Sequence, residues 1–364
     1  MMMRVTRIPR HPRFISGAEE TVHDIQPIID RALQVLETHR LDRTGAYARW
    51  IWQDAAGGRE LGLNEYGCAD AANILYMVGA FPCDPVVRQA WIDTLQGFQD
   101  PETGLFTEAT HHPYHTTAHC IAALELFDAR PRHPLTALHR YLEQDELYRF
   151  LDGLHWQDDP WIASHQGAGI YAALVLAGEA TRAWQDWYFA WLYEEADPAT
   201  GFWRKRHVVP TCQGDSFSGT LTEPTVFPHL AASFHYLFNH EYAHRPLHYP
   251  AQAVETCLDI YANRRWPTLG HAVTFAEVDW VYTLNRAQRQ AGTRFTETKD
   301  ALRAFADEYA GFLLELDPET HENFNDLHTL FGCICALAEL QAALPGYLAS
   351  DKPLKLVLDR RPFI

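Results

Sequence analysis

The feature that most constrains the fold of this chain is a turn phrase that recurs along it. The phrase reads LDRTGAY from Leu41 to Tyr47, QDPETGLF from Gln99 to Phe106, ADPATGFW from Ala196 to Trp203 and, in a weaker form, LDPETHENF from Leu316 to Phe324. Each copy follows a helical pattern. Pro cannot continue a helix, and Gly supplies the positive φ that a reversal requires. We therefore predict that the phrases connect helices in a series of helical hairpins.

Two kinds of helix alternate between these turns. The first kind is amphipathic, with charged residues on one face, and is expected over residues 24–40, 85–99, 134–152, 180–196, 250–264 and 296–316. The second kind is poor in charge, rich in Ala and Gly, and opens on a polar residue. These six opening residues are Asp70, His119, His165, His229, Asp279 and His328. A helix that is apolar nearly all round is buried, so the second set is expected to lie inside the first.

Six outer and six inner helices in alternation predict an all-α protein of the (α/α)6 toroid architecture. Its parallel inner helices would bring the six opening residues to one central funnel. An open helical solenoid would contain the same hairpins, but neither end of the chain carries the strongly polar capping repeat that a solenoid needs. We expect an N-terminal arm at residues 1–17, a single toroid domain at 18–350 and a C-terminal tail at 351–364.

Composition and charge limit the possible partners. The formal charge of −17 disfavours nucleic acid and anionic membranes, because phosphate contacts need clustered Lys and Arg. No apolar run approaches the roughly 18 to 20 residues that cross a bilayer, and the arginine-rich start lacks the apolar stretch of a secretory signal. Seven cysteines without a CxxC pair indicate buried thiols. We expect a soluble, cytoplasmic protein that acts on a small molecule, with its oligomeric state left open.

The stretch HHPYHTTAHCIAALELF, residues 111–127, concentrates four histidines in nine positions. His115 and His119 stand four residues apart, as two metal ligands on one helix face would, but no Glu follows the first as in H-E-x-x-H. Two alternatives are favoured over a metal site: the histidines form hydrogen bonds in a polar loop, or their imidazoles act as general acids and bases in catalysis. No nucleotide-binding, dinucleotide-binding or serine-hydrolase motif is present, so we predict neither a metal nor a cofactor.

Acidic residues supply a second set of catalytic candidates. Asp158 and Asp159 lie between two tryptophans in HWQDDPW, and Glu223 lies near the end of the irregular stretch 206–224, which is a candidate lid or cleft wall. In a glycoside hydrolase, one of these three would be the acid and Asp279 or Asp70 the base. An Asp before a helix is also commonly just an N-cap.

In a lyase or epimerase, an imidazole would move the proton instead, and Tyr114 would assist. The candidates are His119, His165, His229 and His328.

Aromatic residues in the predicted loops suggest a surface on which sugar rings stack. The candidate substrate-binding residues are Tyr66, Asp70, Phe106, Tyr114, His115, Trp156, Trp161 and Trp203. The aromatic stripe at residues 184–191 lies in an amphipathic helix and is expected to be core.

The turn motif resembles a known superfamily. Gln99–Phe106 and the Gly201-Phe202-Trp203 tripeptide are similar to degenerate forms of the Q-x-x-x-G-x-W repeat of squalene cyclases. The resemblance implies the toroid superfamily of terpenoid cyclases, protein prenyltransferases and many glycoside hydrolases, lyases and sugar epimerases, the last of which use paired histidines on inner helices. The chain has no D-x-D-D or D-D-x-x-D motif of terpene chemistry.

These patterns lead to a functional hypothesis with two alternatives. We predict a carbohydrate-active enzyme that works by acid–base chemistry on a sugar or oligosaccharide in the central funnel. The alternatives are a protein similar to terpenoid cyclases or prenyltransferases, and a non-catalytic helical toroid that binds a ligand or a protein.

Overall fold

The computed structural model describes residues 23–53, 59–205, 226–263 and 269–364. Over these residues the protein is all-α, as predicted, and β structure is limited to a short parallel pair, β1 (His23–Asp24) with β2 (Leu348–Ala349), and isolated bridges. No helix in these ranges is both long and apolar enough to cross a lipid bilayer. The predicted arm at residues 1–17 lies outside the described residues.

The helices follow one another in the predicted alternation. In chain order they are α1 (Gln26–His39), α2 (Glu65–Met77), α3 (Pro85–Gln96), α4 (Pro113–Leu126), a 3-10 helix (Thr136–Leu142), α5 (Gln144–Asp152), α6 (Pro160–Ala177), α7 (Arg182–Glu195), α8 (Phe227–Tyr242), α9 (Pro250–Ala262), α10 (Ala276–Ala291), α11 (Phe295–Glu315), α12 (Glu322–Asn325), α13 (Leu327–Ala343) and α14 (Val357–Arg360). Helices α2, α4, α6, α8, α10 and α13 are buried along nearly their whole length and are called the buried helices below. The expected division into amphipathic and buried helices is therefore confirmed, except that the outer helix predicted over 134–152 is divided into the 3-10 helix and α5.

The recurring turn phrases have the predicted backbone conformation. Gly45, Gly104 and Gly201 have φ of +79°, +75° and +78°. In the second phrase the Asp100 carboxylate accepts the backbone N–H of Thr103 at 2.7 Å, which closes the turn. An Asp that bonds its own backbone two or three residues on, followed by a Gly with positive φ, reverses the chain within a few residues.

Side chains before the helices satisfy their first N–H groups. Asp159 accepts the backbone N–H of Ile162 at 3.0 Å at the start of α6, and Asp326 accepts that of His328 at 3.0 Å at the start of α13. Pro160 follows Asp159 in the first turn, where its missing N–H costs nothing. Asp159 therefore has the role of an N-cap.

The buried helices pack mainly on one another. Helix α4 contacts α2 and α6, α8 contacts α6 and α10, and α13 contacts α10 and α2. The segment assigned to a C-terminal tail joins this core, because α14 packs on α2 and α8 and the side chains of Arg361, Phe363 and Ile364 are buried. Of the cysteines, Cys68, Cys120, Cys257, Cys333 and Cys335 are buried free thiols.

Candidate functional site

A cavity of about 170 Å³ lies among the buried helices, and most of its lining is polar or aromatic. It is lined by Arg49, His111, His115, Trp161, His165, His235, Phe275, Asp279, Asp326, His328, Thr329 and Ile364. Sites for drug-sized ligands measure roughly 300–1,000 Å³, so this cavity suits one small polar molecule.

Three histidines from neighbouring buried helices form one wall, called the triple-histidine cluster. His115 on α4, His165 on α6 and His235 on α8 are buried, and each offers a ring nitrogen that lies within 4.8 Å of the other two. The ring centroids of His115 and His165 are 4.2 Å apart, and those of His165 and His235 are 4.6 Å apart. Burial lowers the pKa of all three rings, that of His235 to about 3, so each is neutral near pH 7.

Hydrogen bonds fix two of these rings. The Ser164 hydroxyl donates to the carbonyl of Trp161 at 2.7 Å, so its oxygen accepts from Nδ1–H of His235 at 3.0 Å. This bond leaves Nε2 of His235 with a lone pair. The Tyr66 hydroxyl is hydrogen-bonded to Nδ1 of His115, so Nε2 is the nitrogen of His115 that remains for another partner.

Neither ring nitrogen of His165 has a hydrogen-bond partner in the described structure, although the side chain is buried and lines the cavity. A buried polar group without a partner costs about 1–3 kcal/mol. Buried polar groups are nearly always satisfied by protein, water or a ligand. The geometry therefore points to a species bound in the cavity that His165 contacts.

A second cluster, called the Asp70 cluster, lies next to the triple-histidine cluster and is held together by hydrogen bonds among its own members. Asp70 accepts Nε2–H of His119 at 2.9 Å and Nδ1–H of His328 at 3.1 and 3.2 Å. Burial by itself would raise the pKa of the Asp70 carboxyl, but the attraction of His328 and His119 and their hydrogen bonds hold it below its usual value. Because Nδ1 of His328 is bonded to Asp70, Nε2 is the nitrogen that can meet a ligand.

Asp279 offers an acidic group to the same cavity. Its Oδ2 is buried and has no hydrogen-bond partner in the described structure. Burial, and secondarily the nearby Glu277, raise the pKa of the Asp279 carboxyl well above its usual value, which favours the protonated form that can donate a proton. Phe275, one turn earlier, packs its ring on His328 with centroids 4.4 Å apart.

Arg49 brings a cation to the wall, and its charge is balanced. The guanidinium donates twice to Asp326, at 2.9 and 3.1 Å, and lies 3.7 Å from Glu108. It also lies over the ring of Tyr66, 4.9 Å from the centroid. A bidentate pair of this kind fixes the guanidinium in place, with N–H groups that can face an anionic ligand.

The structure brings part of the predicted site together. His115, Trp161, His165, Asp279 and His328 line the cavity. Behind them stands a supporting layer of three further predicted residues: Asp70, His119 and Tyr66. His115 and His119, considered as a metal-binding pair, belong to different clusters, because their rings meet partners on different helices.

The predicted acids outside this layer do not line the cavity. Asp158 is 81% exposed and pairs with His155 at 3.5 Å. Asp159 caps α6 and lines a separate surface groove with Phe150 and Ile162. Glu223 and the candidate lid at 206–224 lie outside the described residues. His229, in the first turn of α8, is buried away from the cavity lining.

Four aromatic residues expected at the funnel mouth are instead packed away from it. Trp156 stacks on Tyr236 at 5.6 Å, and Trp203 donates its indole N–H to the carbonyl of Leu192 at 2.7 Å. Phe106 is fully buried. Tyr114 meets the hydroxyl of Tyr141 at 3.2 Å, towards the 3-10 helix. None of the four lines the cavity, because residues beside helix starts can also fill the space between helices.

Sequence reasoning missed several lining residues. His235 lies in the middle of α8, His111 and Arg49 precede helices, and Asp326 has the sequence position of an N-cap.

Comparison with models of known protein families, with curated proteins and with solved structures finds no match to this chain.

Proposed function

We propose that this protein is a carbohydrate-active enzyme that transfers protons on a single small sugar in the central cavity, as an isomerase, epimerase or lyase does. The observation that carries the proposal is that Asp279 and His328 share one cavity, whereas Asp158 and Asp159 lie outside it. Proton-transfer enzymes need an acid and a base within reach of one substrate.

The proposed architecture is a closed (α/α)6 toroid. Each buried helix packs on two others, in the cyclic order α2, α4, α6, α8, α10, α13 and back to α2, which supports a closed ring over an open solenoid. In such a ring the starts of parallel inner helices surround one end of a central space, in keeping with the positions of His115, His165 and Asp279.

His328 is the proposed base. Its Nδ1–H is held by the Asp70 carboxylate, so Nε2 carries the lone pair that takes a proton. A buried carboxylate in this position fixes the tautomer and stabilises the imidazolium once it forms. Asp279, whose protonated form is favoured by burial, is the proposed acid that returns a proton to the substrate.

The composition of the wall supports a sugar as substrate. Trp161 and Phe275 supply flat apolar faces, and the imidazoles and carboxyls supply hydrogen bonds to hydroxyl groups. Because Asp326 and Glu108 already balance its charge, Arg49 does not by itself distinguish a uronic acid from a neutral sugar. The small volume favours one ring over an oligosaccharide.

The test is proton exchange in D₂O. Single-ring aldoses, ketoses and hexuronates are incubated with the protein, and ¹H NMR records the replacement of a C–H proton by deuterium. We expect exchange on at least one class of sugar, and Asp279→Asn and His328→Phe should each lower the rate by about 100-fold or more.

Asp158→Asn is the matched control, because it makes the same substitution on an exposed side chain outside the cavity. It should leave the exchange rate unchanged. No exchange on any sugar of the panel, or equal rates in the Asp279→Asn and Asp158→Asn variants, would contradict the proposal.

A further inference from the structure

We infer that the triple-histidine cluster binds one divalent transition-metal ion of the zinc class. This inference goes beyond the proposed function, because its three side chains are different from the proton-transfer pair. It rests on the convergence of His115, His165 and His235 from three helices, on their hydrogen bonds and on the absence of a partner for His165.

The ligand set fits zinc in number and kind. Three histidines with an open fourth position are a common catalytic zinc site, with Zn–N distances of about 2.0–2.1 Å. Tetrahedral ligands at that distance stand about 3.3 Å apart. The ring nitrogens here lie within 4.8 Å of one another, so small rotations of the rings would close the site around an ion.

Supporting hydrogen bonds orient the rings as a metal requires. Ligating histidines nearly always donate their other ring N–H to a neighbouring acceptor, which fixes the tautomer. Ser164 accepts from Nδ1 of His235, and Tyr66 stands at Nδ1 of His115, so Nε2 of both rings is left for the ion. His165 has both nitrogens available and completes the set.

The Asp70 cluster also brings three possible ligands together, but it is less suited to an ion. His119 and His328 already donate N–H protons to Asp70, so the ring nitrogens facing the carboxylate carry hydrogens instead of lone pairs. A metal ion there would have to break all of these bonds. The triple-histidine cluster has no such internal bonds.

A metal ion at this position would supply Lewis-acid chemistry to the cavity. Three neutral imidazoles add no negative charge, so the ion would keep its full power to polarise an oxygen of a bound ligand. The open position would face the cavity that the cluster shares with Asp279 and His328.

The experiment measures metal binding directly. The full chain is stripped with a chelator, and Zn²⁺ is titrated against a chromophoric competitor. Co²⁺ in place of Zn²⁺ gives a visible spectrum that reports four-coordinate geometry. We expect one ion per chain, and His165→Phe and His235→Phe should each weaken binding by about 100-fold or more, since loss even of a supporting bond costs 10–100-fold.

His240→Phe is the matched control. His240 lies on the same helix as His235 and is equally buried, but it is not among the cavity residues. The same substitution there should leave the affinity for Zn²⁺ and the Zn²⁺-dependent rise in melting temperature unchanged.

If the Phe variants do not fold, Ser164→Ala decides the question, because it removes only the hydroxyl that orients His235. We expect about tenfold weaker binding. Unchanged affinity in the Ser164→Ala variant, no binding by the stripped wild-type protein, or binding lost only in His119→Phe would overturn the inference. Metal binding without sugar exchange would refute the proposed function alone, and exchange without metal binding would refute this site alone.

Discussion

Replacing Glu277 with Gln should stabilise the protein at neutral pH and leave its stability unchanged in acid. Glu277 lies in the first turn of α10, is fully buried, and its Oε2 accepts the backbone N–H and hydroxyl of Thr274 at 3.1 and 2.6 Å. Burial raises the pKa of its carboxyl from 4.5 to about 8. Gln resembles the protonated carboxyl in shape and keeps an oxygen for both bonds.

The sign and size of the effect follow from proton binding. Between pH 4.5 and 8 the folded protein holds a proton on Glu277 that the unfolded chain releases, so the free energy of unfolding falls as the pH rises. Each pH unit in this window costs about 1.4 kcal/mol. At pH 7 the wild-type protein should therefore be about 3 kcal/mol less stable than the Glu277→Gln variant.

Urea unfolding of both proteins across this pH range measures the difference. The two free energies of unfolding should converge below pH 4.5 and separate steadily above it. Glu315→Gln, on the exposed face of α11, is the matched control and should match wild type at every pH. A variant that is less stable than wild type at pH 7 would show that Glu277 is ionised in the folded protein, and the same burial argument would then fail for Asp279.

Two further substitutions test the site and the turns. Asp70→Asn removes the carboxylate that holds His328, so sugar exchange in D₂O should fall by about 100-fold or more, and full activity would exclude the proposed base. Gly104→Ala places a Cβ 2.0 Å from the backbone oxygen of Pro134, at a residue whose φ is +75°. The free energy of unfolding in urea should fall by at least 2 kcal/mol, and about 1–2 kcal/mol of this loss comes from the positive φ alone. Gly292→Ala, at a φ of +66° with open space around it, should show only that smaller loss, and equal losses would exclude the contact with Pro134.

The helices and turns were predictable because their causes are local. Asp100 and Gly104 close their turn with groups within four residues, and the apolar composition of α6 and α13 already indicates burial. His165 and His328 were found among the opening residues because a polar side chain at the start of a buried helix is conspicuous in sequence.

The rest of the site depends on contacts between distant segments. His235 lies in the middle of an apolar helix, where a single histidine reads as a core residue, and its meeting with His165 joins positions 70 apart. The burial of Arg361 and Ile364 depends on how α14 packs on α2 and α8, which no local pattern records. Trp156 and Trp203 lie in segments whose composition resembles that of binding loops, but their rings fill the space between helices.

The two histidine clusters have similar composition, and their hydrogen bonds explain why we assign them different roles. Asp70 orients His119 and His328 by accepting hydrogen bonds from their ring N–H groups, which leaves the lone pair on Nε2 of His328 for the cavity. In the triple-histidine cluster, Ser164 and Tyr66 bond Nδ1 of His235 and His115, so Nε2 of both rings remains for another partner. Tyr66 joins the two, because its hydroxyl bonds His115 while its ring stacks on His119 at 4.6 Å. A cation held by the triple-histidine cluster and a proton taken by His328 of the Asp70 cluster would thus act on one ligand from adjoining walls.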